Sequence, residues 1–445
     1  MSKNSQLSKT PYKGCRDLFP EEKRIQEFLF HTFSKTAKSF GFEPYDGPLL
    51  EPVELYLAKS GQELINEQIY SFTDRGDRTV AIRPEMTPTL ARMIAQVYRE
   101  LPLPIRWFSI PNLMRYERPQ KGRLREHWQF NCDIFGLESP YGELEIFQLI
   151  ALLFHSFGAG AQHFSIHFNS RELLEELSTK LLKLSDEQSY QFYKLIDRSK
   201  KITNEEFQKE LTAFSSDDSK LKNILESYFS LGSIPSLSAF LNQYEIQAPQ
   251  LRLLLQELSN SCYEDLNPLL CYDPSIVRGL DYYTGIVFEV FNLHPEHNRA
   301  LCGGGSYDNL LSIFKEGPLR GIGFGLGDVT LKDFLQVHHL LPSFKFAHTH
   351  VLLTALDEES SKNISQISAF IRKHNIQCEV MWGISKLKKA FHLSEVKGHQ
   401  KLIILGDSQN PKSIIIKDTK SRNQKIFQMD DLSWITYLQE GLTHE

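Results

Sequence analysis

A short segment at residues 115–126 concentrates side chains that can bind phosphate. Its charged and amide side chains include Arg115, Glu117, Arg118, Gln120, Arg123 and Arg125. The guanidinium group of arginine is permanently charged and presents a planar fork of donors that matches phosphate oxygens. An apolar stretch at 105–110 precedes the segment and predicts a strand. The pattern favours a basic hairpin that binds phosphate.

The residues after this segment alternate between polar and apolar. Gln129, Asn131 and Asp133 are the polar members of the stretch 128–134. Because successive side chains of a strand point to opposite faces, these three share one face. That face is either a solvated sheet surface or the floor of a recognition site, and the alternation is compatible with both.

A turn at residues 83–88 lies between a predicted strand at 79–82 and a predicted helix after Pro88. It presents Glu85 and Thr87 between two prolines. One interpretation is a surface turn in which Thr87 caps the helix. The other is a turn that presents both side chains to a site.

Two further regions combine tyrosine with glycine. Residues 278–285 contain the adjacent pair Tyr282 and Tyr283, and glycines recur within 303–305 and 321–327. A phenol can pack on a ring and also hydrogen-bond it, and alternating glycines let a flat ligand approach the backbone. The alternative is that the tyrosines pack in the core and that the glycines only permit tight packing.

Hydrophobic periodicity predicts the elements that position these segments. Helical spacing predicts a helix over 21–40, and helical periods over 171–258 indicate an insertion or additional helices of the main core. The last hundred residues predict a small α/β domain, with strands at 351–356, 378–381, 402–405 and 414–416 and helices near 361–374 and 385–396. The predicted domain segments are 1–170, 171–260, 261–340 and 346–445.

Composition excludes several classes of protein. A net charge of −5 argues against non-specific coating of nucleic acid, and the six cysteines form no Cys-x-x-Cys pair that would favour zinc or a redox dithiol. No apolar run reaches the roughly 20 residues that span a bilayer. The N-terminus also has no apolar signal core. We therefore expect a cytoplasmic protein with no membrane partner.

Taken together and in order, these segments resemble those of histidyl-tRNA synthetases, a class II aminoacyl-tRNA synthetase family. Residues 115–133 resemble class II motif 2, and Arg278-Gly-Leu-Asp-Tyr-Tyr-Thr-Gly resembles the signature of the histidine enzyme. Gly303-Gly-Gly-Ser-Tyr-Asp resembles its companion motif, and residues 14–20 resemble the opening segment of the family.

The resemblance implies an α+β fold with a six-stranded antiparallel catalytic sheet and flanking helices, a helical insertion and a C-terminal α/β anticodon-binding domain. It implies a homodimer and a histidine–tRNA ligase activity with ATP, Mg²⁺, histidine and tRNA(His). No dedicated protein cage for a metal ion is expected.

The resemblance also implies roles for individual residues. Histidine would be bound by Glu85, Thr87, Gln129, Asp133, Tyr282 and Tyr283. Arg115 and Arg278 would act on the reacting groups, with Arg278 close to the carboxylate and the α-phosphate. ATP would be bound by Arg115, Glu117, Arg118, Arg123 and Gly325, and the tRNA acceptor end would meet Arg118 and Gln120.

Two positions depart from the family pattern. Thr330 stands where motif 3 usually carries an arginine that stacks on adenine, and Ser306 replaces an arginine of the glycine-rich motif. We hypothesise that Arg320 or Lys332 holds the ATP tail instead.

Two other functions are compatible with much of the pattern. One is the synthetase-like regulatory subunit of the first enzyme of histidine biosynthesis, which typically lacks the C-terminal domain. The other is a class II ligase for a different amino acid, against which Asp133 with Tyr283 favours an imidazole.

Overall fold

The computed structural model describes residues 7–57, 68–120, 122–215, 218–277, 283–297, 299–344, 350–406, 410, 412–440 and 442. The chain forms two compact units. The larger comprises Met1–Leu18 and Gln26–Leu341, and the smaller comprises Phe19–Ile25 and Pro342–Glu445.

The helices of the described residues are α1 Pro20–Ser39, α2 Val53–Leu57, α3 Thr87–Val97, α4 Tyr141–Ser156, α5 Arg171–Glu176, α6 Asp186–Arg198, α7 Asn204–Ser215, α8 Ser219–Phe229, α9 Ile234–Gln243, α10 Pro249–Leu258, α11 Asp328–Val337, α12 Glu358–Ser361, α13 Ile364–Lys373, α14 Leu387–Lys397 and α15 Ser433–Glu440. Short 3-10 helices lie at Ser199–Lys201, Ser261–Tyr263, Asn267–Leu269 and Leu310–Phe314, and a π-helix at Leu177–Leu181.

The strands of the same residues are β1 Glu43–Pro44, β2 Leu50–Pro52, β3 Tyr70–Thr73, β4 Thr79–Ile82, β5 Ile105–Ser109, β6 Asn112–Met114, β7 Glu126–Phe135, β8 Phe164–Ser170, β9 Leu270–Tyr272, β10 Ile286–Asn292, β11 Ala300–Tyr307, β12 Gly321–Gly327, β13 Val351–Ala355, β14 Cys378–Ile384, β15 Lys401–Leu405, β16 Ser413–Asp418 and β17 Gln424–Gln428. They confirm the strands predicted at 79–82 and 105–110, and α1 confirms the helix predicted over 21–40.

The main sheet of the larger unit contains six consecutive antiparallel strands in the order β5-β7-β12-β11-β10-β8. Short parallel strands, β1 and β9, extend its two edges, and β6 pairs with the first half of β7. The expected six-stranded antiparallel sheet is therefore confirmed, with additions at its edges. β2, β4 and β3 form a separate small sheet.

One hydrophobic core supports this sheet from the side of α1 and α4. The core-facing side chains of β7 include Phe130, whose ring stacks on Phe33 of α1 at 4.6 Å between centroids. Phe147 of α4 meets Phe288 of β10 edge to face at 5.2 Å. Aromatic contacts of this kind hold the apolar face of the sheet against helices and leave its other face open for function.

The stretch 171–258 is helical, as its periodicity predicted. Its buried side chains, including Phe192 and Tyr228, belong to the same hydrophobic cluster as Phe288 of the sheet. Asn169 of β8 donates to the hydroxyl of Tyr228 at 3.2 Å. The core thus continues from the sheet into these helices, in line with the alternative that they belong to the main core.

The smaller unit contains the five-stranded sheet β14-β13-β15-β16-β17. Its first strand, β13, is buried along its whole length because apolar clusters cover both faces of the sheet. The strands and helices predicted from 351 to 416 are confirmed within a few residues. The mostly exposed β17 and the short α15 were not predicted.

Truncation of Phe33 tests the stacked core of the larger unit. Phe33 is fully buried, so we expect Phe33→Ala to lower its free energy of unfolding by about 3–5 kcal/mol. Denaturant titration of the far-ultraviolet dichroism measures this loss. The control Leu152→Ala removes a half-exposed side chain of α4 and should change the value by about 0.5 kcal/mol or less. Equal effects of the two variants would contradict this account of the core.

Candidate active site

A cavity of about 430 Å³ lies on the open face of the antiparallel sheet. Its lining is predominantly polar and comes mainly from β7, β11 and β12, with further residues from the segment 115–124, the turn before α3 and the first turns of α3 and α11. The side chains predicted for the site that line it are Glu85, Thr87, Arg115, Glu117, Arg123, Gln129, Asp133, Tyr283 and the backbone position Gly325. Residues separated by almost two hundred positions therefore meet in one hollow.

The polar face of β7 is the floor of this cavity. His127, Gln129, Asn131 and Asp133 occupy alternate positions of the strand, and all four line the cavity. Of the two interpretations of this alternation, the structure supports the recognition floor. A spacing of about 7 Å between alternate residues makes the row roughly 20 Å long.

The glycines of β12 make room for the side chains of β7. Gly323 pairs with Asp133, and a Cβ atom at Gly323 would lie 2.0 Å from Asp133 Oδ1. A Cβ at Gly325 would lie 2.8 Å from the side-chain carbon Cδ of Gln129. These glycines are required because the floor has no space for additional side chains beside the polar row.

Asp133 is a buried carboxylate at one end of the row. Burial raises its pKa to about 7, and a hydrogen bond from the hydroxyl of Tyr307 to Oδ1 counteracts part of that rise. The ring of Tyr283 lies 6.4 Å from that of Tyr307. This end of the cavity therefore offers one acid and two phenols to a small polar ligand.

Arg115 defines the other end of the row. Its Nε donates to the carbonyl oxygen of Pro84 at 2.8 Å, which fixes the direction of the guanidinium group. Glu117 lies 3.9 Å from Arg115 and 4.0 Å from Arg123. Burial, with help from the positive charge of Arg115, lowers the pKa of His127 to about 3. The imidazole is therefore neutral, and the charges at this end suit an anion.

Residues 14–20, which resemble the opening segment of the family, hold the basic loop at residues 115–126 in place. The backbone N–H of Arg125 donates to the carbonyl of Gly14 at 2.9 Å. Arg16 forms an ion pair with Asp328, and the other oxygen of Asp328 accepts from the N–H of Trp128 at 3.0 Å. These contacts hold the end of the loop where it enters β7.

The alternative interpretation, in which Thr87 caps a helix, is wrong. Thr87 is the first residue of α3, and the capping position belongs to Met86, whose side chain makes no capping hydrogen bond. Pro88 follows directly and has no N–H to be capped. Thr87 instead lines the cavity.

Two predicted residues of the basic loop are not part of the cavity lining. Arg118 and Gln120 belong to the basic loop, but neither lines the cavity. Arg278 and Tyr282 lie outside the described residues.

The hypothesis that Arg320 holds the ATP tail is not supported by its contacts, because its guanidinium donates to the buried Glu143 at 2.6 Å. Neither Arg320 nor Lys332 is among the cavity residues, whereas Thr330 is.

Sequence reasoning missed other residues of the lining. His127 continues the alternation of β7 by one step and could have been found from it. Tyr307 lies within the glycine-rich motif, but its contact with Asp133 spans 174 positions and has no local signal. Gln68 has no motif that predicts its place in the cavity.

No group of three or more histidine, cysteine or acidic side chains in the described ranges is arranged to hold a metal ion. Over the same residues, the search for a helix of sufficient length and hydropathy to cross a membrane found none.

Comparison with known proteins identifies the family. The family model described as histidyl-tRNA synthetase matches residues 14–331. The histidine–tRNA ligase of Leptospira biflexa is 41% identical over 430 residues, which cover 96% of this chain and 97% of that protein. The chain belongs to the histidyl-tRNA synthetase family.

Solved structures support the fold of this synthetase family. The histidyl-tRNA synthetase of Nostoc sp. PCC 7120 matches with a TM-score of 0.79 at 22% identity, covering 98% of this chain and 100% of that one. A Bacillus halodurans structure described as an ATP phosphoribosyltransferase regulatory subunit/histidyl-tRNA synthetase matches with a TM-score of 0.72 at 18% identity, over 90% and 99% of the two chains. Both likenesses concern the fold alone.

Removal of the buried charge of Asp133 tests the electrostatics of the site. Its pKa is about 7 in the folded protein and near 3.8 in a model carboxyl group, so the folded state binds the proton more tightly. This group's contribution to stability therefore decreases as the pH rises from about 4 to 7. We expect Asp133→Asn to raise the melting temperature more at pH 8 than at pH 5.

Thermal denaturation at the two pH values measures this difference. Asp265→Asn, at an exposed position, is the control and should shift the melting temperature little at either pH. A larger gain for Asp133→Asn at pH 5 than at pH 8 would contradict the raised pKa.

Proposed function

We propose that this chain is a histidine–tRNA ligase. Histidine and ATP react to histidyl-adenylate and pyrophosphate. The 3′-terminal hydroxyl of tRNA(His) then attacks the carbonyl of the adenylate, the bond to the phosphate oxygen breaks, and AMP leaves. The observation that carries this function is the polar cavity on β7, which has the buried acid Asp133 at one end and Arg115, beside His127 of the same strand, at the other. An amino acid and a nucleotide can therefore lie end to end along the same strand.

Histidine occupies the end of the row at Asp133. A neutral imidazole offers one donor and one acceptor, which an acid and a phenol such as Tyr283 can satisfy together. Glu85, Thr87 and Gln129 lie along the same lining and bind the α-amino group. A site that satisfies the polar atoms of a substrate in this way can reject an apolar analogue by about 10⁴-fold or more.

ATP occupies the end at Arg115. The carboxylate of histidine attacks the α-phosphorus, the bond to the pyrophosphate oxygen breaks, and pyrophosphate leaves. No protein nucleophile is needed, so that catalysis consists of positioning and charge neutralisation. Arg115 and Arg123 contribute positive charge within the cavity, and we assign Arg278 to the same task. Mg²⁺ bound to the ATP phosphates would neutralise further charge.

The remaining assignments concern tRNA and assembly. Arg118 is exposed on the basic loop next to the cavity, which favours a role in contacting the acceptor end of tRNA together with Gln120. We assign anticodon binding to the smaller unit and propose a homodimer that acts in the cytoplasm.

Histidine-dependent exchange between ATP and pyrophosphate tests the adenylation step. The regulatory subunit of histidine biosynthesis would not catalyse exchange, and a ligase for another amino acid would not depend on histidine. We expect Arg115→Ala to lower the kcat of exchange by about 10²–10³-fold, because charge on the α-phosphate then lacks its fixed donor. Arg99→Ala, at an exposed arginine outside the cavity, should leave kcat within about twofold of wild type. Absence of exchange in the wild-type protein would refute the function.

Substitution of Arg118 separates tRNA contacts from adenylation. Because Arg118 does not line the cavity, we expect Arg118→Ala to raise the KM for tRNA(His) in aminoacylation about tenfold while exchange kinetics remain unchanged. Gln120→Ala should also raise the KM for tRNA(His) and leave the exchange kinetics unchanged. An effect of Arg118→Ala on the KM for ATP would instead assign this side chain to the nucleotide.

A further inference from the structure

A buried ionic network lies behind the histidine end of the cavity. Glu143 of α4 is fully buried, and its Oε1 accepts from Arg320 Nη2 at 2.6 Å and from Ser306 Oγ at 2.8 Å. Within the described residues, its Oε2 has no hydrogen-bond partner. The buried charge of this carboxylate therefore depends on two side chains, and loss of either is unfavourable.

Arg320 is occupied by this network. Besides Glu143, it donates to the side-chain oxygen of Gln250 on α10 at 3.1 Å and lies 3.7 Å from Asp308 Oδ1. These contacts join the catalytic sheet to a helix of the 171–258 region. They direct the guanidinium group away from the cavity lining.

The network connects to the histidine end of the cavity at the end of β11, through Ser306, Tyr307 and Asp308. The carbonyl of Ser306 accepts from the N–H of Thr284 at 2.8 Å, and the hydroxyl of Thr284 donates to Asp308 Oδ2 at 2.9 Å. Tyr283, which lines the cavity, directly precedes Thr284. Tyr307 lies between Ser306 and Asp308 and points to the opposite face of β11, where its hydroxyl binds Asp133.

We propose that Arg320 and Ser306 are positioning residues for histidine. Through Glu143 they hold the strand end that places Tyr307 and the segment of Tyr283 around the imidazole. The inference rests on the proposed function, since it names the residues that hold the histidine-binding side chains of that site in position. It also accounts for a departure from the family pattern, because Arg320 brings a guanidinium group to the carboxylate that Ser306 contacts.

The predicted kinetic result is a higher KM for histidine with little change in the KM for ATP. Arg320→Met keeps an unbranched, flexible stem but removes the guanidinium group and its charge. In pyrophosphate exchange, we expect it to raise the KM for histidine about tenfold or more, because small displacements of positioning groups are costly. The KM for ATP should change less than about twofold. Arg320→Lys, which keeps the charge, should recover part of the loss.

Arg106→Met is a matched control. Arg106 of β5 forms an ion pair at 2.5 Å with Glu145, two positions from Glu143 on the same helix. This variant removes a partly exposed ion pair of α4 whose side-chain hydrogen bonds, within the described structure, join only Arg106 and Glu145, and not Glu143, Ser306 or Asp308. It should lower the melting temperature without a change in the KM for histidine.

Two further variants test the proposal if Arg320→Met does not fold. Ser306→Ala removes a single hydrogen bond to Glu143 and should raise the KM for histidine by a smaller factor. The double variant Ser306→Arg with Arg320→Ser conserves the total volume and charge of the two side chains. Its KM for histidine should be lower than that of Arg320→Ser alone.

The outcomes separate the inference from the proposed function. Without histidine-dependent exchange in the wild-type protein, the proposed function fails. With normal wild-type exchange, the inference is overturned if Arg320→Met raises the KM for ATP, or if both Arg320→Met and Ser306→Ala leave the KM for histidine unchanged. A rise in the KM for histidine in Arg106→Met equal to that in Arg320→Met would also overturn it.

Discussion

The site depends on the pairing of a polar strand with a glycine-rich one. β7 brings a row of large polar side chains to one face, and that row is accommodated only because β12 places Gly323 beside Asp133. The next strand, β11, then supplies Tyr307, whose hydroxyl binds the same carboxylate. A shift of one residue in either pairing would turn the polar row towards the hydrophobic core. The register of three strands is therefore the constraint on which recognition depends.

Much of this arrangement follows from local sequence patterns. Alternation over residues 128–134 predicted both a strand and its polar face, and helical spacing predicted α1 and the helices after residue 171. The basic loop was identified by residue type alone, because the planar, permanently charged guanidinium group of arginine suits phosphate oxygens. The family resemblance then supplied the six-stranded antiparallel sheet and the expected roles of its side chains.

Long-range partners could not be predicted in the same way. Arg320 was expected to face ATP, yet a carboxylate 177 positions away decides its direction. Thr87 was a plausible cap from composition, but the backbone places it one residue inside its helix. Tyr307 contacts Asp133 through the register of the sheet, which no short motif encodes. In each case the deciding contact forms only after the chain has folded.

The glycines of β12 that line the cavity also have a consequence for inhibitor design. Where an inhibitor contacts backbone atoms of β12, the protein cannot remove those contacts by exchanging a side chain. A Cβ at Gly323 or Gly325 would instead collide with Asp133 or Gln129, the side chains to which we assign histidine binding. Resistance mutations at these two positions would therefore impair the enzyme itself, which makes this strip of main chain a durable drug target.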